Sequence, residues 1–293
     1  MMKKGISLVG FRTYDEVSSY IKAYPNARFE LSYNMKREFL SSIAPLIEGR
    51  VLSLHACCPE EAFFPNYGSY NPSVIEYSNN VMQKSLETAK AYGADIVVLH
   101  PGYITDENVS SCYRERALLM RSNAFKPFIA REEGSIVRND ILSDEEYVMR
   151  FRKMNDHVTE LSSLFERAGV ALAVENLNPR AGYLFYSPYE IANFSPNVRF
   201  CLDVGHLYIS HYVFGFDFLK AIDYMLSTGR VLSMHLHSNR SDGKILEDSH
   251  SDFFASGFPS TDIIRIASGY DVNLILETIS NPLENSFFLD SII

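Results

Sequence analysis

Tryptophan is absent from this 293-residue chain, and its four cysteines form no repeated Cys-x-x-Cys pattern. That excludes a disulfide framework, and adjacent Cys57-Cys58 is a poor disulfide pair. Cys57, Cys58, Cys112 and Cys201 therefore read as buried reduced thiols. Long hydrophobic runs are also missing. No stretch approaches the roughly 18 apolar residues of a membrane span. The start, Met1-Met2-Lys3-Lys4-Gly5, is followed by charges at Arg12, Asp15 and Glu16 rather than by an uninterrupted apolar region. No secretory signal is read there, and a cytoplasmic protein is expected. Positive charge is scarce: 27 Lys and Arg against 36 Asp and Glu leave a formal charge of −9. A broadly basic nucleic-acid or anionic-membrane binder is excluded, although a local site for an anion is not. With 46% hydrophobic and 22% charged residues, the composition is that of a globular protein.

What the chain does contain is a regular alternation. Short apolar, β-branched runs at Ile6–Val9, Phe29–Ser32, Val51–His55, Ile96–His100, Ala171–Glu175, Phe200–Asp203, Leu232–His237 and Leu274–Glu277 read as eight strands. Their near-continuous hydrophobicity is that of parallel strands covered on both faces. Helical patterns lie between them, one from about Ser73 to Ala91 closed by Gly93, another from about Asp144 to Ala168 ending at Gly169. Ser143 and Glu146 have the spacing of a capping box at the start of the latter. Strand and helix alternation over this length predicts a single-domain α/β fold, a closed (β/α)8 TIM barrel spanning residues 1–293. A doubly wound open sheet would need a Gly-rich phosphate turn after its first strand, and Gly10 alone does not supply one. The longest interruption, about 101–143, is too long for a plain βα connection and belongs to the substrate-binding rim. It carries Arg114, Arg116, Arg121, Lys126, Arg131 and Arg138 interleaved with Glu115, Glu132 and Glu133, so it reads either as a solvated loop or as an anion-contacting lid.

The chemistry lies at the strand ends. His55, His100, Glu175, Asp203 and Glu277 close the third, fourth, fifth, sixth and eighth strands, and His235 sits in the seventh. In a parallel barrel these ends gather on one face, where active sites are built. His206 follows Asp203 by three residues, and Asp248-Ser249-His250 places two more donors at alternate positions of an extended segment. One such histidine is an ordinary hydrogen-bonded residue and one such carboxylate an ordinary helix cap. Nine together predict a metal site. Imidazole and carboxylate donors suit zinc, with manganese as an alternative. His157, inside a helix pattern, and His211, beyond the strand-end cluster, read as structural. His237 shares a strand face with His235 and reads as a group behind the ligands or as a substrate contact.

The fragments Leu99-His100-Pro101-Gly102, Val174-Glu175-Asn176, Phe200-Cys201-Leu202-Asp203-Val204-Gly205-His206, Met234-His235-Leu236, Asp248-Ser249-His250 and Leu274-Ile275-Leu276-Glu277-Thr278 resemble the xylose-isomerase-like barrel superfamily, and within it the endonuclease IV branch. The resemblance runs from Val51 to Glu277. It implies four ligands shared with the isomerase and epimerase members, at Glu175, Asp203, His235 and Glu277. It also implies five more that endonuclease IV adds for a three-zinc cluster, at His55, His100, His206, Asp248 and His250. By that carry-over His55 and His100 hold a first ion, Glu175 bridges it to a second completed by Asp203, His235 and Glu277, and His206, Asp248 and His250 hold a third. The segments that grip DNA in endonuclease IV differ: His55-Ala56-Cys57-Cys58-Pro59 stands where that branch has His-x-x-Tyr, and Gly5-Ile6-Ser7-Leu8-Val9 replaces its Gly-Ala-His start. His235-Leu236-His237-Ser238-Asn239 instead resembles a His-Leu-His-Asp-Asn stretch of sugar isomerase/epimerase-like relatives.

Two activities follow from these residues. The first is hydrolysis of a phosphoester, with damaged DNA as its sharpest substrate, where clustered divalent ions activate water and Glu175 positions it. Phe63, Phe64, Tyr67, Tyr70, Tyr183, Phe185 and Tyr186 would then either stack on bases or pack the loops. The second is isomerisation or epimerisation of a sugar or sugar phosphate, with Glu175 and Glu277 as acid/base pair. Xylose isomerase itself is disfavoured, because Leu177 occupies the place of its lysine two residues after the fifth-strand Glu. A non-catalytic metal binder would be expected to lack ligands, and none is missing. Arg180, His237 and Asn239 are the expected substrate contacts. No membrane and no obligate protein partner is expected.

Overall fold

The computed structural model describes residues 2–293. Eight parallel strands close into a barrel in strict chain order: β1 (Lys4–Ser7), β2 (Phe29–Leu31), β3 (Val51–His55), β4 (Ile96–Leu99), β5 (Ala171–Glu175), β6 (Arg199–Asp203), β7 (Val231–Leu236) and β8 (Asn273–Leu276). Closure is made by β1 against β8, with Lys4 opposite Leu274 and Ile6 opposite Leu276. The expected (β/α)8 fold is the one observed. Nearly every strand residue is buried, because helices cover the outer face while side chains fill the interior.

Local chemistry sets the helix ends. In α1 (Tyr14–Ala23), Thr13 and Glu16 form a reciprocal capping box. Asn71 caps α3 (Pro72–Tyr92), Pro72 sits where its missing N–H costs nothing, and Gly93 ends the helix at φ 71°, a left-handed conformation that favours glycine. Helices α2 (Arg37–Ile47), α7 (Phe218–Ser227), α8 (Ser260–Ala267) and α9 (Pro282–Ser291) complete the outer layer with α5 (Glu145–Arg167) and α6 (Val204–Phe214). No helix among the described residues is long and apolar enough to cross a membrane.

The structure departs from the sequence reading at four places. The first strand begins at Lys4, and Leu8–Gly10 turns into a 3-10 helix instead of continuing it. Helix α5 is capped by Asp144, whose carboxylate accepts from the N–H groups of Glu146 and Tyr147, because Ser143 is taken up in the 3-10 turn Ile141–Ser143. Cys112 is exposed, whereas Cys57, Cys58 and Cys201 are buried; all four are free thiols. The 101–143 excursion is exposed over much of its length but is not a plain loop. It contains α4 (Tyr113–Met120), a strand Val109–Ser110 paired with Phe63–Phe64, and a hairpin of Ile129–Arg131 with Ile136–Val137. Backbone hydrogen bonds tie it to the segment after β5: Ile104 N–H donates to Gly182, Leu184 to Gly102, Val137 to Pro179 and Ala181 to Ser135.

Candidate metal centre

Parallel closure delivers the donors to one face. His55, Glu175 and Asp203 are the last residues of β3, β5 and β6; His100 and Glu277 follow β4 and β8 by one residue; His235 lies in β7. Strand β6 passes directly into α6, and Asp203 is both a strand-end donor and the cap of that helix, its Oδ1 accepting from His206 N–H at 2.6 Å. That turn brings His206 in its first turn beside Asp203. The segment after β7 is pinned by the Ser238–Ser251 bridge and by His250 Nδ1 donating to the carbonyl of Glu277 at 3.0 Å. His250 adopts φ 42°, so Asp248 and His250 meet through a left-handed backbone residue and not through simple extended alternation.

The donor atoms form three groups: His55, His100 and Glu175; Glu175, Asp203, His235 and Glu277; and His206, His237, Asp248 and His250. Glu175 is the hub. Its Oε2 lies 3.1 Å from His55 Nε2, 3.5 Å from His100 Nε2 and 3.6 Å from His235 Nδ1, while its Oε1 lies 3.2 Å from His206 Nδ1. In the second group His235 Nδ1 is 3.3 Å from Glu277 Oε2 and 3.8 Å from Asp203 Oδ2. In the third, Asp248 lies 3.2 Å from His206 Nε2 and 3.4 Å from His250 Nε2.

Ring tautomers are fixed from behind. A carbonyl oxygen only accepts, so the imidazole nitrogen facing one must carry the hydrogen. His55 Nδ1 faces the carbonyl of Ala56 at 2.7 Å, His206 Nδ1 that of Asn176 at 3.0 Å, His237 Nδ1 that of Ser238 at 3.2 Å, and His250 Nδ1 that of Glu277. Each leaves Nε2 as the acceptor turned toward the donor groups. His235 is reversed: its Nε2 faces Glu30 Oε2 at 3.1 Å, and its Nδ1 turns inward. This arrangement orients imidazoles for a metal and raises their basicity. His235 Nδ1 and Asp248 Oδ1 are buried without a hydrogen-bond partner, as donors prepared for an ion would be. The residues present therefore fit divalent ions.

Charge is concentrated without being screened. Burial pushes the Glu175 carboxyl upward, but His100 and His235 outweigh it and hold it well below the usual carboxylate range. Asp248 is held down in the same way by His250 and His206. Burial lowers the imidazoles, yet Asp203 and Asp248 lift His206 well above its ordinary value, and Asp248 lifts His250 to about 10. His100, with the weakest carboxylate company, is lowered by burial.

All nine sequence-predicted ligands are brought together. His237 joins them, fully buried, with Nε2 3.1 Å from both oxygens of Asp203 and its ring stacked 3.9 Å from that of His250. Gly205 lies against that ring so closely that a Cβ there would fall 2.0 Å from His237. The expected substrate contact is thus walled in among the donors. Asn239 is tied to the carbonyl of Gly205 at 2.7 Å, and Arg180 stacks on Tyr113; neither lines the cavity of about 60 Å³ above the donors. Base stacking is not open to Phe64, Tyr67, Tyr183, Phe185 and Tyr186, which are buried in packing. His157 and His211 lie outside the donor groups. Sequence reading missed Glu30, Asn178 and Tyr33, and named Arg116 only as one of several charged residues of the 101–143 loop. The signal for Glu30 was a carboxylate inside the apolar run Phe29-Glu30-Leu31. Tyr33, Asn178 and Arg116 line the cavity, and Asn178 Nδ2 donates to Asp248 at 2.8 Å.

The sequence profile of the xylose isomerase-like TIM barrel family matches residues 25–287. No curated protein matches in sequence. Among solved structures, a D-tagatose 3-epimerase-like protein is similar at TM-score 0.68 and 16% identity, over 99% of this chain and 97% of its own. D-psicose 3-epimerase from Clostridium cellulolyticum, solved with D-tagatose, has TM-score 0.62 and 14% identity over 96% and 86%. Endonuclease IV from Thermus thermophilus has TM-score 0.56 and 16% identity over 99% and 97%.

Proposed function

The chain belongs to the xylose isomerase-like TIM barrel family, and from that footing we propose that it is a divalent-metal-dependent hydrolase of phosphoester bonds, holding up to three ions, with zinc favoured and manganese as the alternative. One observation carries this reading: three donor groups lie side by side, two of them sharing Glu175, whose Oε1 also lies 3.2 Å from His206 of the third. A single-metal isomerase site uses only the second of them, and leaves the histidines and Asp248 of the other two without work. His55, His100 and Glu175 would hold one ion; Glu175, Asp203, His235 and Glu277 another; His206, Asp248 and His250, with His237 beside them, a third.

Divalent ions at these positions supply Lewis acidity, polarising phosphoryl oxygens and lowering the pKa of water. Glu175, held as a carboxylate between the groups, accepts the proton of an attacking water and fixes its direction. Asn178, anchored on Asp248 and lining the cavity, presents a side-chain carbonyl that has no partner of its own. The enclosing tyrosines and buried strand ends keep bulk water out. No side-chain nucleophile is required.

The second reading, a sugar or sugar-phosphate isomerase or epimerase, rests on Glu175 and Glu277 flanking His235 Nδ1 in one donor group as a potential acid/base pair, and on the epimerase names of the structural neighbours. Elemental analysis of the purified protein separates the two. Two or three ions per chain, with His206→Ala losing one ion and phosphodiester cleavage, supports the hydrolase. One ion per chain, or unchanged occupancy in His206→Ala, overturns it in favour of the epimerase.

A further inference from the structure

Two buried arginines in this protein have opposite company. Arg150 on α5 is 7% exposed and pairs with Asp106 at 2.8 Å and Glu146 at 2.5 Å. Arg116 on α4 is 8% exposed, and no carboxylate among the described residues lies within ion-pair distance of it. Its Nη1 donates to the carbonyls of Ser110 and Ser111, at 2.9 and 3.0 Å, and its guanidinium lies 4.9 Å over the Phe64 ring. Those contacts fix the head without neutralising it. The groups around it are the phenols of Tyr183, Tyr103 and Tyr33, and Tyr103 Oη is buried with no hydrogen-bond partner. A buried, unpaired cation is costly to keep and is ordinarily matched by a counter-charge. Arg116 lines the cavity above His55, His100, Glu175, His206, Asp248, His250 and Glu277.

We propose that Arg116 is an anion-recognition residue of the substrate pocket, and that the substrate is a small phosphorylated molecule bound with its phosphate between Arg116 and the metal centre, not duplex DNA. The inference rests on the hydrolase reading. A cavity of about 60 Å³ accepts a group the size of phosphate, well short of the roughly 300–1,000 Å³ of a pocket for a drug-sized ligand. The excursion that carries Arg116 is bonded to the segment after β5 at four backbone positions, which holds it in place beside the cavity.

The test is isothermal titration of zinc-loaded protein with inorganic phosphate, alongside Arg116→Gln and Arg116→Lys, with zinc content measured on each. Loss of a charge-assisted contact should weaken phosphate binding by about tenfold or more in Arg116→Gln, with zinc content unchanged and Arg116→Lys intermediate. Equal phosphate affinity in wild type and Arg116→Gln, or equal weakening in Gln and Lys variants, overturns the proposal, since a merely structural arginine would not respond to charge. Submicromolar binding of a duplex carrying an abasic site overturns the small-substrate part. If wild type holds a single ion, the hydrolase reading fails, while the phosphate titration still scores Arg116.

Discussion

Glu30 offers the sharpest test of how the metal centre is built. Its carboxylate is fully buried at the middle of β2; Oε2 accepts from His235 Nε2 at 3.1 Å and from Ser53 Oγ at 2.7 Å. Oε1 has no partner. Glu30→Gln keeps the shape, and its amide oxygen can take both of these donors. What disappears is the negative charge behind the imidazole that presents Nδ1 to Glu175, Asp203 and Glu277. Groups in this position are worth about 10–100-fold in metal affinity, or roughly 1.4–2.8 kcal/mol at 1.4 kcal/mol per decade. The new NH₂, buried where Oε1 stood, adds a folding penalty of about 1–3 kcal/mol. Only the group containing His235 should weaken, because neither His55 and His100 nor His206 and His250 touch Glu30. Competition against a chromophoric chelator, with elemental analysis at each point, should show one ion per chain released at about 10–100-fold lower chelator strength. Ser53→Ala, which spares the charge, should release it much later. A folded Glu30→Gln protein that holds every ion within about threefold of wild-type affinity would refute the reasoning.

Two other changes probe the surroundings. Gly205→Ala drives a methyl into the His237 ring, which is trapped between Asp203 and the stacked His250; overpacking of this kind costs about 1–3 kcal/mol or more, so thermal unfolding should move down with loss of the ion at the third group, and an unchanged midpoint with full occupancy sinks the claim. Glu190 on the 3-10 helix Pro188–Asn193 is raised to about 7 by burial, against the pull of Tyr147 Oη and the N–H groups of Ser187 and Tyr186. It binds its proton more tightly folded than unfolded, so its contribution to stability is complete below about pH 4.5 and is lost as pH rises through about 7. Glu190→Gln should flatten that slope, with a relative gain of up to about 3 kcal/mol at pH 8 over pH 4.5 in urea titrations; parallel profiles would defeat it.

The sequence disclosed the donors because barrel geometry does the gathering. Polar residues at the ends of apolar runs, such as His55, Glu175 and Asp203, need no tertiary knowledge to be placed on one face. The supporting residues were hidden for a physical reason: their roles depend on what another strand or loop brings. Glu30 looked like an interruption of β2 until β7 placed His235 against it. His237 shares a strand with His235, but its fate was decided by the missing side chain at Gly205 on α6. Arg116 sits in the run Tyr113-Arg114-Glu115-Arg116, where alternating charge conceals which arginine turns inward. The cap of α5 moved from Ser143 to Asp144 because the preceding 3-10 turn consumed Ser143, a competition between two local motifs that spacing alone does not resolve.

The order of the donors along the chain has a kinetic meaning. During synthesis His55 and His100 emerge long before any carboxylate partner, and the hub, Glu175, arrives only with the fifth strand. The group around it waits for Glu277, just past the last strand of the barrel. A nascent chain therefore carries all the donors of the other two groups by His250, but lacks those of the central group until the eighth strand has been made. Under the proposed metal assignment, retention of the ion at the central group becomes a readout of barrel closure, and a misclosed barrel would give up that ion first.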